Sequence, residues 1–196
     1  MRTNKYKSAL PNRGFSMVEL LVVMGLIMIV ASMSYFSIRG ALPGIRANAG
    51  LAQVVGVLRE ARETAVGTRR NIQLTFPAQG QIRLTRIDIG GAGGTQVVGT
   101  TVLTTITLEN NVRFLLFPGV ADTPDGFGNT SALDFGGSPT MMFQSDGTFV
   151  DAAGFPLNGT VFIGRANEPN TQRAVTILGA TGRIRGYKWS GTQWVE

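Results

Sequence analysis

The chain has 196 residues, 43% hydrophobic and 15% charged, with 26 Gly and neither Cys nor His. That composition excludes a Ser-His-Asp triad, a His-based zinc site, a thiol nucleophile, a disulfide and a Cys-ligated cluster, so no catalytic residue, cofactor or metal site is expected. The formal charge of +6 is concentrated at one end: Arg2, Lys5, Lys7 and Arg13 fall within residues 1–14 without an acid, which leaves the remainder at +2.

The first predicted element follows this basic leader. Gly14-Phe15-Ser16-Met17-Val18-Glu19 leads into an uncharged run from Leu20 to Ile38, rich in Leu, Val, Ile and Met. A helix over 15–38 is about 36 Å long at 1.5 Å per residue, enough to cross a hydrocarbon core of about 30 Å with some tilt. Positive charge ahead of it places the leader in the cytoplasm and the rest beyond the membrane. A secretory signal puts its small residue after a shorter apolar core, whereas here Gly14 precedes a long one. Glu19 is the second anomaly, because a carboxylate at the bilayer centre costs about 2.5–3.5 kcal/mol and so demands a partner or a function. A cut after Gly14 would create a cationic amine one helical turn from Glu19; the alternative is a plain signal anchor carrying a chance glutamate.

Arg13-Gly14-Phe15-Ser16-Met17-Val18-Glu19-Leu20-Leu21-Val22-Val23 resembles the class III signal of type IV pilins and type II secretion system pseudopilins. The resemblance implies that a prepilin peptidase cuts between Gly14 and Phe15 and methylates the new Phe15 amine. It further implies that Glu19 governs assembly by neutralising a Phe15 ammonium, its own or a neighbour's, within a filament core. Many members of that family have Pro where this chain has Phe36. Here the helix breakers Gly40, Pro43 and Gly44 come later, so a kink or melted stretch is expected at 40–44.

Residues 39–67 form the second half of the helix. Leu51, Val54, Val55, Leu58, Ala61 and Ala65 recur at helical spacing, so their stripe should pack on a sheet and the helix should end near Gly67. From 68 to 196 the sequence reads as a β-rich domain, with strands at 71–76, 81–88, 101–108, 111–117, 140–144, 147–151, 160–164, 172–178 and 182–189. Asn110-Asn111 and Asp146-Gly147 are expected to be hairpin turns. Gly- and Pro-rich residues 118–139 are expected to form a surface loop. The fold class is therefore α+β, a long N-terminal helix, transmembrane in its first half, packed on the antiparallel sheets of a C-terminal globular domain.

Further segments narrow the resemblance: residues 58–65, Arg69-Arg70-Asn71-Ile72-Gln73-Leu74, residues 142–148, residues 174–178, and Gly182-Arg183-Ile184-Arg185 are similar to the GspH/FimT family of minor pilins and minor pseudopilins. This resemblance implies a pilin-like fold and a low-abundance subunit that helps start a filament near its tip. It implies as partners a prepilin peptidase, other pilins or pseudopilins, an inner-membrane assembly platform and, before assembly, the membrane itself. The implied location is the inner membrane, single-pass with the C-terminal domain in the periplasm, and later a periplasmic or cell-surface filament.

Three further places in the body carry chemical readings. Residues 90–94 look like a phosphate loop but lack a following Lys-Ser/Thr and a helix, so a flexible turn is expected. Asp122, Asp125, Asn129 and Asp134 could supply hard oxygen ligands for calcium, yet their spacing fails the calcium-loop pattern. On strand geometry Arg183, Arg185, Tyr187 and Trp189 share a face, with Lys188 opposite and Arg173 on an adjacent strand. Guanidinium groups beside aromatic rings can grip phosphates and stack on bases. Some members of the resembling family bind DNA through a Gly-Arg-x-Arg segment, which makes DNA a candidate partner for natural transformation. The alternative is an edge strand whose solvated arginines protect it from aggregation.

Overall fold

In a computed structural model the chain is described over residues 14–90 and 96–196. The leader residues Arg2, Lys5, Lys7 and Arg13, and Gly91 to Gly94 of the glycine-rich loop, lie outside the described residues. The chain divides into two units, residues 1–41 and 42–196. One helix, α1 (Met17–Thr68), begins in the first unit and ends in the second.

Within the first unit α1 is exposed along its length: Leu21, Met28, Val30 and Met33 are each more than 60% accessible. This apolar stretch is long enough to cross a membrane, and none of its most hydrophobic window is buried. The expected melted stretch at 40–44 does not occur, for these residues are helical with Pro43 among them. Proline there removes one N–H donor to the carbonyl a turn earlier, but long flanking helical segments on both sides sustain the helix. The helix ends at Arg69, whose φ of 53° is left-handed, with the Arg70 N–H donating to the Ala65 carbonyl at 3.2 Å. That is a Schellman-type closure made without glycine at the left-handed position.

In the second unit, two antiparallel sheets pack against α1. The first has the order β3 (Gln96–Thr107), β2 (Gln81–Gly90), β1 (Asn71–Ala78), β6 (Met141–Phe143), β7 (Phe149–Val150). The second has β11 (Trp194–Val195), β10 (Arg183–Trp189), β9 (Glu168–Leu178), β8 (Gly159–Arg165), β4 (Val112–Phe114), with β5 (Leu133–Asp134) also on β8. Leu51, Val54, Leu58, Ala61 and Ala65 of α1 join Ile72, Leu74, Ile82, Phe143, Ile163, Val175 and Ile177 in one core. The expected stripe is therefore the buried face, with Val55 only partly covered.

Each expected strand has an observed counterpart, but the lengths differ: β4 stops at Phe114 rather than 117, and β7 is only Phe149–Val150. The short strands β5 and β11 were not foreseen. Asp146-Gly147 does close a hairpin between β6 and β7, with Gly147 at φ 85°. Asn110-Asn111 does not. Both residues have φ 58° and Val112 N–H donates to the Glu109 carbonyl, so the turn type is the expected one. Its flanks, however, belong to different sheets: β3 pairs with β2 and β4 pairs with β8. The turn hands the chain across the core instead of folding it back.

Residues 115–132 are more than a surface loop, because they cover the face of the second sheet opposite α1. Gln172, fully buried, donates to the Leu115 carbonyl at 2.9 Å and accepts from Phe117 N–H. Phe162 N–H donates to Ala132, and the Trp194 indole N–H to Ala121. Phe162, Ala174 and Tyr187 form a second small core beneath this layer.

Candidate functional site

The chain's N-terminal motif sits at the start of α1. Ser16 caps the helix, its hydroxyl accepting from the Glu19 N–H at 3.1 Å while its carbonyl accepts from Leu20 N–H. Ser16 and Glu19 thus stand at the cap and third helical positions, with the Ser16 hydroxyl making its half of a capping box, an arrangement that spacing alone could have revealed. Glu19 lies in the first turn, where the helix dipole favours an acid by about 0.3–1 kcal/mol. That falls short of the cost of carrying the charge into hydrocarbon, so capping does not remove the need for a cationic partner. Among the described residues no ion pair to Glu19 is formed. Phe15 is 80% exposed, and a Cβ on Gly14 would meet nothing within 4 Å. The folded chain therefore places no steric demand for glycine at position 14.

The second site is on β10. Alternation puts Arg183, Arg185 and Tyr187 on the face away from α1, as expected, and all three converge on one carboxylate. Asp125, from the covering layer, accepts from the Tyr187 hydroxyl at 2.9 Å and the Thr176 hydroxyl at 2.6 Å. The same carboxylate lies 3.4 Å from the Arg185 guanidinium and 3.7 Å from that of Arg183. Arg185 also approaches Glu196 at 3.8 Å. The guanidinium of Arg185 is held above its usual value, chiefly by the Tyr187 hydroxyl, with Glu196 and Asp125 adding negative charge. Burial pushes the Tyr187 phenol up, and its bond to Asp125 pushes the same way.

Trp189 takes no part in these bonds and packs edge-on against Trp194, its partner across β10 and β11, at 5.1 Å. Lys188 is exposed on the opposite face, next to Arg173 across the strands. Arg173 lies on the α1 side and is buried: its Nε donates to Asn48 Oδ1 of α1 at 2.9 Å, and burial pulls its guanidinium below the usual value. The expected basic patch is thus divided between two faces, and its arginine pair already has an internal anion. Asp125 was not foreseen as the partner because it is 60 residues away in sequence.

The glycine of Gly182-Arg183-Ile184-Arg185 has a structural reason. Gly182 has φ 60°, and a Cβ there would run into the Gly147 carbonyl oxygen.

Of the candidate calcium ligands, Asp125 is held in the β10 cluster and the other three are employed locally. Asp122 accepts from Thr123 and Gly128 N–H, and Asn129 donates to the Val120 carbonyl. Asp134 accepts from Thr130 N–H and hydroxyl, both at 2.8 Å, and from Gly136 N–H. Burial raises the Asp134 carboxyl, but these bonds together outweigh it and hold the group below its ordinary value. Among the described residues no group of three or more acidic side chains is assembled for a metal ion.

Compared with curated proteins, the sequence finds no match. Among solved structures the chain is similar to the type IV minor pilin FimU of Pseudomonas aeruginosa. The two are 15% identical, with a TM-score of 0.46 over 76% of this chain and 92% of that one. It is also similar to the minor pseudopilin EpsH of Vibrio cholerae, 16% identical with a TM-score of 0.43 over 73% of this chain and 97% of that one. Residues 11–35, which span the Gly14–Phe15 junction, Glu19 and most of the apolar run, match the family model described as the prokaryotic N-terminal methylation motif.

Proposed function

We propose that this chain is a minor pilin or minor pseudopilin, a structural subunit of a type IV pilus or type II secretion filament. The observation that carries the reading is the methylation motif at the head of an exposed apolar helix whose second half is the spine of a folded β-rich unit. A prepilin peptidase removes the basic leader after Gly14 and methylates the Phe15 amine. Until assembly the helix anchors the protein in the inner membrane as a single span, with residues 42–196 in the periplasm. The subunit then leaves the bilayer through the assembly platform and joins other pilins near the tip, where it helps start the filament.

The chemistry follows from the cost of Glu19. An acid near the edge of a membrane helix is stabilised when a cation lies one turn away, and a free Phe15 amine is such a cation. Uncut, the chain has no charged amine at that position. Cleavage thus converts a poorly matched anchor into a helix whose end charges neutralise one another or those of a neighbouring subunit.

The test is mass spectrometry of the protein from native membranes. The expected species begins at methylated Phe15, and a protein still beginning at Met1 would overturn the reading in favour of a plain signal anchor. Glu19→Ala is expected to lower incorporation into filaments while the folded body retains its melting temperature; normal incorporation would remove the charge-pairing role. Gly14→Ala should still be cut, since nothing in the folded chain crowds this position, whereas a bulky residue should block the peptidase and leave the leader attached.

A further inference from the structure

A sheet edge is a row of unused N–H and C=O groups, and proteins blunt such edges by shortness, charge, proline or covering. Three of the four terminal strands here are blunted. The strands β4, β7 and β11 are three, two and two residues long. Arg113 puts charge on β4, and β7 is further covered by the Leu157 N–H donating to the Phe149 carbonyl. The fourth, β3, runs for 12 residues, QVVGTTVLTTIT, without a charge or a proline, and among the described residues pairs only with β2. At its end the Gln53 side chain of α1 takes the Thr107 carbonyl.

Apolar side chains on β3 face solvent: Val97 is 61% exposed, Val98 64%, Val102 57% and Leu103 41%. The register with β2 slips at Leu84/Thr85 and at Asp88/Ile89, which makes Leu103 and Val98 the extra residues of two bulges. A bulge re-aims side chains, so each forms an exposed apolar doublet with its neighbour. Bulges can protect an edge by twisting it away, but here the bulge residues are themselves apolar and bring no repelling charge.

We propose that the outer edge of β3 is an interaction surface that pairs, antiparallel, with β3 of a second copy of this chain. Two arguments select that occupant. With no charged residue on the strand, self-pairing meets no like-charge opposition at any register. Among the terminal strands of the described residues, only β3 itself is long enough to satisfy a 12-residue edge. An antiparallel self-pair is two-fold and closes on itself, so it makes pairs of copies and cannot propagate as a shaft. The inference stands apart from leader processing and filament entry.

The chain has no cysteine, so single cysteines report contacts without background. Full-length variants Thr100→Cys, Thr101→Cys, Val102→Cys, Leu103→Cys and Thr104→Cys, in detergent micelles under mild oxidation, should give disulfide dimers whose yield peaks at one position and falls on either side. The positional peak separates strand pairing from two chains sharing a micelle. Adding Lys at another outward position of β3, Thr105→Lys with Ile106→Lys excluded because Ile106 packs on the core, should abolish the dimers with an unchanged circular dichroism spectrum. Equal yields at every position, yields no higher than at exposed Thr192→Cys, or dimers that persist in the Lys variant would each overturn the proposal.

Discussion

The Asp125 carboxylate stands where two guanidinium groups would otherwise meet solvent phosphate. Its side chain is only 10% exposed and it carries two hydroxyl bonds besides the ion pairs. Asp125→Asn removes the charge but not the shape, so a destabilisation of about 1–3 kcal/mol is expected in urea unfolding, from hydrogen-bonding groups left poorly paired. The same substitution frees Arg183 and Arg185. If this strand contacts DNA, binding should be stronger in Asp125→Asn than in the native chain, and the Arg183/Arg185 double alanine variant should lose about two units of log-log salt slope. Absence of binding at low salt in both the native chain and Asp125→Asn would remove DNA as a partner. Asp134 makes a pH prediction. Its folded carboxyl titrates below the ordinary 3.8, so its contribution to stability is present above about pH 4 and lost as pH falls through the lowered value. Asp134→Asn should flatten that part of the acid-unfolding curve.

Among elements, α1 shows how much a period can reveal. The stripe from Leu51 to Ala65 is a property of 3.6-residue spacing, and the core uses it with one change: Val57, outside the stripe, is buried, while Val55 is only partly covered. Leu58, fully buried against both sheets, should cost about 2–5 kcal/mol on substitution by Ala, measured by thermal unfolding. Pro43 was less readable: the residue favours a break, but only the hydrogen-bonded turns on either side decide whether a helix survives it. The Asn110-Asn111 turn makes the same point. Its two positive φ angles were legible from residue type, while the sheet to which each flank belongs was not. Gly182 adds a steric case, since its need for glycine comes from the tip of another hairpin 35 residues earlier, near Gly147.

For the whole molecule, the cores bear on what the first unit contributes to folding. Every member of both buried clusters lies at or beyond Leu51. A chain beginning at Leu42 should therefore unfold cooperatively with the same midpoint as the processed protein, followed by circular dichroism. A non-cooperative transition would show that residues before 42 are needed for the fold.

The sequence by itself determined the N-terminal methylation motif, the apolar run, the amphipathic stripe and the approximate position of most strands, because each is written in neighbouring residues through charge order, length or a period of two or 3.6. It also determined that Arg183, Arg185 and Tyr187 share a face. Only the tertiary structure decided that Asp125 meets them, that residues 115–132 cover the second sheet, and that β3 is left as a long open edge. Those features depend on which distant segments lie side by side, and pairing across 60 residues leaves no periodic trace in either partner.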